Sequence, residues 1–293
     1  TAMNQYYLIV KQNQLVKSLE SDLALYKERV SIAQTKFNIG SSAKTDLLQA
    51  KVDMNEVQSN FLMQQNTLRE YKFALNQTLA RSVETSFEVS NNITISYHPK
   101  IEDLKKTVID SNHQLSFYQR NIRINELSLK ENQSNYLPKL AANANYNFTQ
   151  SKNQAGFLLL NQNLGLNAGL TLSWNIFNAG NDARQIQNSK LSIENSKLLF
   201  EQNKSVIEIS LLKAYLTYNN AKEILKLEEE NFNLAKENVE IAIERFRLGS
   251  SSTLELKAAQ KSFEDAQVRL VNARYNTKTN EIELMRLNGM LVK

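Results

Sequence analysis

Residues Lys36–Ala50 read KFNIGSSAKTDLLQA, and residues Arg245–Ala259 read RFRLGSSSTLELKAA. The two stretches start 245 − 36 = 209 residues apart. Before the turn, the same offset pairs Leu25 with Leu234, Glu28 with Glu237, Val30 with Val239, Ile32 with Ile241 and Ala33 with Ala242. After it, Leu47 pairs with Leu256, Ala50 with Ala259 and Gln58 with Gln267. A chance match does not hold register through a turn and into both flanks. The chain is an internal duplication, and each copy is one supersecondary unit.

The chain has seven Gly and two Pro among 293 residues. None lies between Gly40 and Pro99, between Gly180 and Gly249, or between Gly249 and Gly289. Turns draw on these residues, so the intervals between them are long helices. The expected hairpins are 2–38 with 43–79 around Gly40, and 184–247 with 250–288 around Gly249. As one helix, 184–247 would run about 95 Å at ~1.5 Å per residue.

Its apolar residues Leu225, Phe232, Val239 and Phe246 are spaced by seven, which is coiled-coil spacing. Leu234, Ile241 and Leu248 form a second line about 200° further round the helix. The first copy repeats both lines, as Val16, Leu23, Val30, Phe37 and as Leu25, Ile32, Ile39. The return helices carry Leu47, Met54, Phe61, Leu68, Leu75 and the counterpart Leu256, Phe263, Leu270, Leu284, with Thr277 the exception. Ala259, Ala266 and Ala273 add a small-residue line for close approach. Two seams on opposite sides of a helix require a neighbour on each flank, as in a ring of helices or a layered bundle.

Gly40 and Gly249 sit where a helix ends in the left-handed conformation. Ser or Thr residues follow each of them and can cap the next helix. Asp46 and Glu255 fall in the first turn of the return helices, where a carboxylate complements the dipole. Dipole complement alone is enough to account for both acids.

Between the halves the period changes from seven to two. Leu140, Ala142, Ala144, Tyr146 and Phe148 share one face, against Asn143, Asn145, Asn147 and Thr149. Leu166, Ala168, Leu170, Leu172, Trp174 and Ile176 repeat the pattern against Asn167, Gly169, Thr171, Ser173 and Asn175. Alternation over about ten residues marks strands with one apolar and one polar face, joined here by a loop at 151–164. The length suits a tilted membrane strand of ~9–11 residues, with aromatics toward the ends and small uncharged residues toward a wet lumen. Tyr146, Phe148, Leu170, Leu172 and Trp174 are then the lipid-facing candidates. An ordinary surface hairpin packed on helices is the alternative. One hairpin leaves open edges that lipid does not tolerate, so the remaining strands must come from more chain or more subunits.

Composition excludes several classes. Without Cys there is neither a disulfide framework nor a Cys metal site. No apolar run approaches the ~18 residues of a membrane helix, the longest candidate being Phe157–Leu160. The charge of +5 comes from Lys and Arg interleaved with Asp and Glu, a solvated face and not a nucleic-acid footprint. His98 and His113 lie 113 − 98 = 15 residues apart, with no metalloprotease spacing. Neither a phosphate loop nor a nucleophile elbow is present. No enzyme, metal or cofactor is expected.

These pieces together resemble the outer membrane efflux protein (TolC-like) family. The marks are the doubled tip, NYLPKLAANANYNF (Asn135–Phe148) leading into a strand, LTLSWNIFNAGNDARQ (Leu170–Gln185) running from strand into helix, and the closing TNEIELMRLNGML (Thr279–Leu291). The resemblance implies a mainly α protomer of long antiparallel coiled-coil hairpins forming part of an α-barrel, with a membrane β-hairpin contributing to a trimeric β-barrel. It implies a homotrimer in the outer membrane of a Gram-negative bacterium, contacting lipid there and with most of the chain in the periplasm. The implied function is the exit duct of a tripartite efflux or type I secretion system, fed by a periplasmic adaptor protein and an inner membrane pump. Expected segments are a first helical hairpin at 1–80, an equatorial segment at 81–138, the β-hairpin at 139–177 and a second helical hairpin at 178–293.

By the same resemblance, Gly40, Ser41, Ser42, Gly249, Ser250 and Ser251 face the adaptor. Glu255 directly, and Asp46 by the repeat, are aperture acids. The chain departs from the family pattern at Phe246 where a Tyr is frequent, Ser251 where an Arg occurs, Ala258 where a further acid stands, and Asn175 and Asn178 near the strand-to-helix junction. Family members carry two β-hairpins per protomer, and only the second is found here. No signal peptide begins the sequence, and the expectation is a piece of a longer precursor. The rival class is a soluble helical scaffold or adaptor of the cell envelope. A signal peptide and second β-hairpin upstream would decide between them.

Overall fold

The structure, a computed structural model, describes residues 2–152 and 160–291. Its elements in chain order are α1 (Ala2–Asn38), α2 (Lys44–Thr78), α3 (Ile101–Ser111), α4 (His113–Ser134), β1 (Lys139–Lys152), β2 (Leu160–Ser173), α5 (Asn181–Arg247) and α6 (Thr253–Leu287). The duplication survives residue for residue. The outgoing helices end 247 − 38 = 209 residues apart, and the return helices begin 253 − 44 = 209 and end 287 − 78 = 209 residues apart.

The chain forms two compact units, one holding residues up to Ser111 and from Ile207 onward, the other Asn112–Val206. In the first unit, α1 packs on both α2 and α6. Val239, Ile243 and Phe246 of α5 join Leu256, Ala259 and Phe263 of α6 in a buried cluster, with Leu25 and Ile32 of α1 against it. Ala33, Leu47 and Ala50 form the equivalent cluster in the first copy, backed by Val30. Each fully buried Leu or Phe here contributes about 1.5–3 kcal/mol.

The line along α6 is buried throughout, at Leu256, Phe263, Leu270, Thr277 and Leu284. Thr277, the break in the apolar line, spends its hydroxyl on the carbonyls of Ala221 across the hairpin (3.1 Å) and Ala273 (2.8 Å), which a buried polar group requires.

Between α2 and α3 the chain runs as an irregular strap, a conformation whose peptide groups need partners outside any ladder. Asn76 donates to the carbonyls of Val83 and Thr85. The buried Glu281 accepts from the amides of Ser96 and Tyr97, while its ion-pair partner Lys278 donates to Thr94 O. The buried Tyr218 hydroxyl donates to Tyr97 O at 2.6 Å. Gly289 (φ +66°) lies against Ser111, and a Cβ there would sit 2.1 Å from the Ser111 carbonyl oxygen, so only glycine serves.

In the second unit, the Asn112 side chain caps α4 by accepting from the amides of Gln114 and Leu115. Asn125 and Asn132 on α4 donate to Ser196 and Ser189 on α5 at 2.6 and 2.7 Å. β1 and β2 form an antiparallel hairpin that pairs Leu140 with Leu172, Ala142 with Leu170, Tyr146 with Leu166 and Phe148 with Leu164. The two apolar faces therefore coincide, and their large side chains are exposed.

Two expectations about this hairpin need correction. The strands are 14 residues each, so positions assigned to the loop pair in the ladder, Ser151 with Asn161 and Lys152 with Leu160; of that loop, 153–159 lie outside the described residues, as does most of Phe157–Leu160. Backbone bonding continues through Gln150, Ser151, Asn161 and Gln162, where the apolar alternation that signals a strand has faded. Trp174 is not on the strand either: β2 ends at Ser173, and the Trp174 indole N–H donates to Tyr136 O at 3.1 Å.

Candidate functional site

Both tips close by the same device. Gly40 (φ +75°) and Gly249 (φ +77°) adopt the left-handed conformation. Gly40 N–H donates to Phe37 O and Ser41 N–H to Lys36 O; Gly249 N–H donates to Phe246 O and Ser250 N–H to Arg245 O. This is the paired bonding of a Schellman turn, which satisfies the last carbonyls of the outgoing helix. The Ser41 and Ser250 hydroxyls add a bond to those same Lys36 and Arg245 carbonyls, each at 3.1 Å.

The expected serine cap stands at the second return helix and is missing at the first. At α6 the N-cap is Ser252, whose hydroxyl accepts from Glu255 N–H at 3.2 Å. The repeat counterpart of Ser252 is Ala43, which has no oxygen to offer, so α2 has no side-chain cap. The Ser42 hydroxyl instead donates to the Asp46 carboxylate at 2.7 Å. Ser251 holds its hydroxyl buried without a partner among the described residues. Glu255 is exposed and Asp46 half-buried, and among the described residues no hydrogen bond or ion pair joins them.

The tips are brought side by side. Lys36 donates to Phe246 O and places its ammonium 4.1 Å from the centre of the Phe246 ring. A cation over an aromatic face is worth about 0.5–2 kcal/mol according to its desolvation, so Phe246 joins the copies without a hydroxyl. Arg247 pairs with Glu28 across the same junction.

Further along the α1–α2–α6 junction lies a polar seam that the sequence reading did not single out. Arg29 and Asp53 form an ion pair at 3.0 Å with side-chain exposures of 1% and 5%. Gln260 accepts from Arg29 at 3.3 Å, and Lys257 and Gln49 donate to Asp53 at 3.0 and 2.8 Å. Burial alone would raise the Asp53 carboxyl, but the bonds from Lys257 and Gln49 and the charges of Arg29 and Lys257 outweigh it and hold it below its ordinary value. Asp22 accepts from Gln267 at 2.7 Å, and burial pushes its carboxyl up to about 7. The only sequence signal is a difference between the copies: Asp22, Tyr26 and Arg29 correspond by the 209 offset to the uncharged Asn231, Ala235 and Asn238. A cleft of about 820 Å³ opens beside this seam.

Of the lipid-facing candidates, Tyr146 and Phe148 on β1, Leu170 and Leu172 on β2, and Trp174 just beyond are all more than half exposed. No helix among the described residues is long and apolar enough to cross a membrane, and no group of His, Asp and Glu among them is placed to hold a metal.

The sequence profile of the family described as outer membrane efflux protein matches residues 106–290. Among solved structures, the chain is similar to the outer membrane protein VceC of Vibrio cholerae (TM-score 0.73, 14% identity), covering 98% of this chain and 68% of that one. It is similar to the CmeC outer membrane channel of Campylobacter jejuni (TM-score 0.70, 14% identity; 98% and 61% covered). It is similar also to the open state of the MtrE outer membrane channel of Neisseria gonorrhoeae (TM-score 0.68, 12% identity; 98% and 66% covered). The chain thus spans roughly two thirds of the length of these proteins, and at these identities the likeness speaks for the fold. No curated protein sequence matches. With a family profile over more than half its length and the same fold over nearly all of it, the chain belongs to the outer membrane efflux protein family.

Proposed function

We propose that this chain is the periplasmic and membrane body of a homotrimeric exit duct, carrying molecules from a periplasmic adaptor protein and inner membrane pump across the outer membrane. The observation that supports it most is a seam filled in one copy of the repeat and empty in the other. Leu25 and Ile32 of α1 pack on the α5–α6 core, whereas their counterparts Leu234 and Ile241 on α5 are exposed. The complementary surface behaves alike. Gln260 and Gln267 of α6 are buried against α1, whereas their counterparts Lys51 and Gln58 on α2 are exposed.

A second copy resolves both mismatches at once. Laying α5 of one protomer on α2 of the next, as α1 lies on α6 within the chain, gives a heterologous contact that closes into a ring by rotation. The exposed apolar face of the β-hairpin supports the same reading, since a barrel of strands from several copies buries it in lipid and removes its edges. A soluble scaffold leaves that face without purpose. In the ring the paired tips face the adaptor, and Asp46 and Glu255 form rings of carboxylate near the inner mouth, where like charges favour cations.

Disulfide trapping tests the ring. The chain has no Cys of its own. By the repeat, Asn238 corresponds to Arg29 and Lys51 to Gln260, which touch within one chain. Asn238→Cys with Lys51→Cys in the full-length protein should give covalent oligomers on oxidation, ending at the trimer. Monomer alone, with membrane insertion intact, would overturn the proposal.

A further inference from the structure

The cleft beside α1, α2 and α6 is lined by more acids than the neighbouring bases neutralise. Asp22, 3% exposed, bonds Gln267 but makes no ion pair among the described residues. One helical turn along α1 stands Tyr26, and one turn back from Gln267 on α6 stands Glu264, so the two pairs stack as rungs across the seam. Among the described residues, the Oε1 atom of Glu264 is buried without a hydrogen-bond partner, as are Nε and Nη2 of Arg29 and Nε2 of Gln260.

The charges facing these rungs are committed elsewhere. From α1, Arg29 is held by Asp53. From α2 come Asp53 and Glu56, both acids. From α6, Lys257 pairs with Asp53 at 3.0 Å, and Lys261 pairs with Asp265 at 2.9 Å while staying 3.9 Å from Glu264. No cation among the described residues is left for Asp22.

We infer that the α1–α6 seam is a proton-operated clasp, tight while the facing carboxyls of Asp22 and Glu264 are protonated and loosened when both ionise. Burial first, and the neighbouring Glu264 charge after it, push the Asp22 carboxyl up to about 7 against the bond from Gln267. Burial raises Glu264 as well, with the charges of Asp265 and Glu56 adding to it and Tyr26 and Lys261 opposing. The direction of the response follows from which state holds the proton. A solvated Asp loses its proton near 3.8, whereas in the closed seam Asp22 keeps it to about 7. As pH rises between those values the closed seam alone remains protonated and loses its advantage; above the upper one it is at its weakest.

The counterpart positions on α5, Asn231 and Ala235, do not titrate, so the response belongs to one seam only. Its bearing on opening of a duct rests on the proposed function, but the seam lies within one chain and its proton response does not.

Hydrogen exchange on the full-length protein in detergent tests the clasp. Amides of α1 from Leu19 to Arg29, corrected for intrinsic rate and referenced to α3, are followed from about pH 5.5 to about pH 8.5. Opening should rise about tenfold or more across that range, since one pKa unit corresponds to tenfold. Asp22→Asn, which keeps a partner for Gln267 and does not ionise, should stay closed with a flat profile. Glu264→Gln should shift the midpoint downward, because it removes a like charge. A flat profile in the unaltered protein, or an unchanged slope in Asp22→Asn, overturns the inference. Infrared difference spectra of the unaltered protein give a reading free of any variant: a protonated-carboxyl band must titrate near the Asp22 midpoint, and its absence is equally fatal. Failed disulfide trapping with an intact exchange profile would reject the ring and leave the clasp standing.

Discussion

Replacing Asp53 with Ala should destabilise the helical unit far more than removing any surface partner of the same network. Arg29 is almost wholly buried, its Nη1 is 3.0 Å from Asp53, and among the described residues its other hydrogen bond goes to Gln260 at 3.3 Å. Two of its nitrogens already lack partners. Lys257, about half exposed, can turn to water when Asp53 goes, but Arg29 has no such escape. An uncompensated buried charge costs about 3–5 kcal/mol, against ~0–1 kcal/mol for losing the half-exposed Lys257 in Lys257→Ala. The double change Arg29→Met with Asp53→Leu removes both charges and should return stability close to that of the unaltered protein. Urea unfolding followed by the helical circular dichroism signal, comparing midpoints and slopes, measures all three. Asp53→Ala within about 1 kcal/mol of the unaltered protein, or a double variant as damaged as the single, would refute the account. The sign with pH is opposite to that of Asp22. The Asp53 contribution is complete above its ordinary value of 3.8 and is lost only as pH falls through its lowered one, so acid unfolding by this route starts below the usual carboxylate range.

In the assembled protein, Leu172→Arg should cost ~2–4 kcal/mol near the bilayer midplane and Thr171→Arg far less; equal losses in detergent-to-bilayer refolding would argue against a lipid-facing strand. Asp46→Asn with Glu255→Gln should reduce cation preference in single-channel recordings, most at low salt, where screening is weak. If selectivity is unchanged and the tips lose only a few tenths to ~1 kcal/mol, the acids serve the helix dipoles and nothing more. Ala43→Ser supplies α2 with the cap that α6 already has and should stabilise the first tip by about 0.5–2 kcal/mol, read as slower exchange of the α2 first-turn amides.

The long helices were legible because a helix that packs lengthwise must repeat its apolar residues by seven, and the 209 offset doubled that signal. The paired tips were legible from the same glycines. The seam at Arg29 and Asp53 was not, because its meaning depends on which face of α1 meets which face of α6. Periodicity shows that a helix has two faces and is silent about partners. Capping by a serine was legible at α6, where the Ser252 hydroxyl reaches Glu255 N–H, and failed at α2, where Ala43 holds the equivalent position and has no oxygen to offer. The strands were read short because side-chain alternation fades before backbone pairing does.

The duplication has a consequence for how such an assembly would come apart. The α1–α6 seam joins surfaces tethered in one chain, so forming it sacrifices no free translation or rotation of separate bodies. It therefore tolerates unpaired atoms on Arg29, Gln260 and Glu264. The equivalent contact between copies starts from independent molecules and must overcome that loss, about 4–15 kcal/mol. Exposed apolar Leu234 and Ile241, in place of an ionic network, suit that requirement. On dilution, the joints between copies should part first and release protomers whose own two hairpins remain clasped.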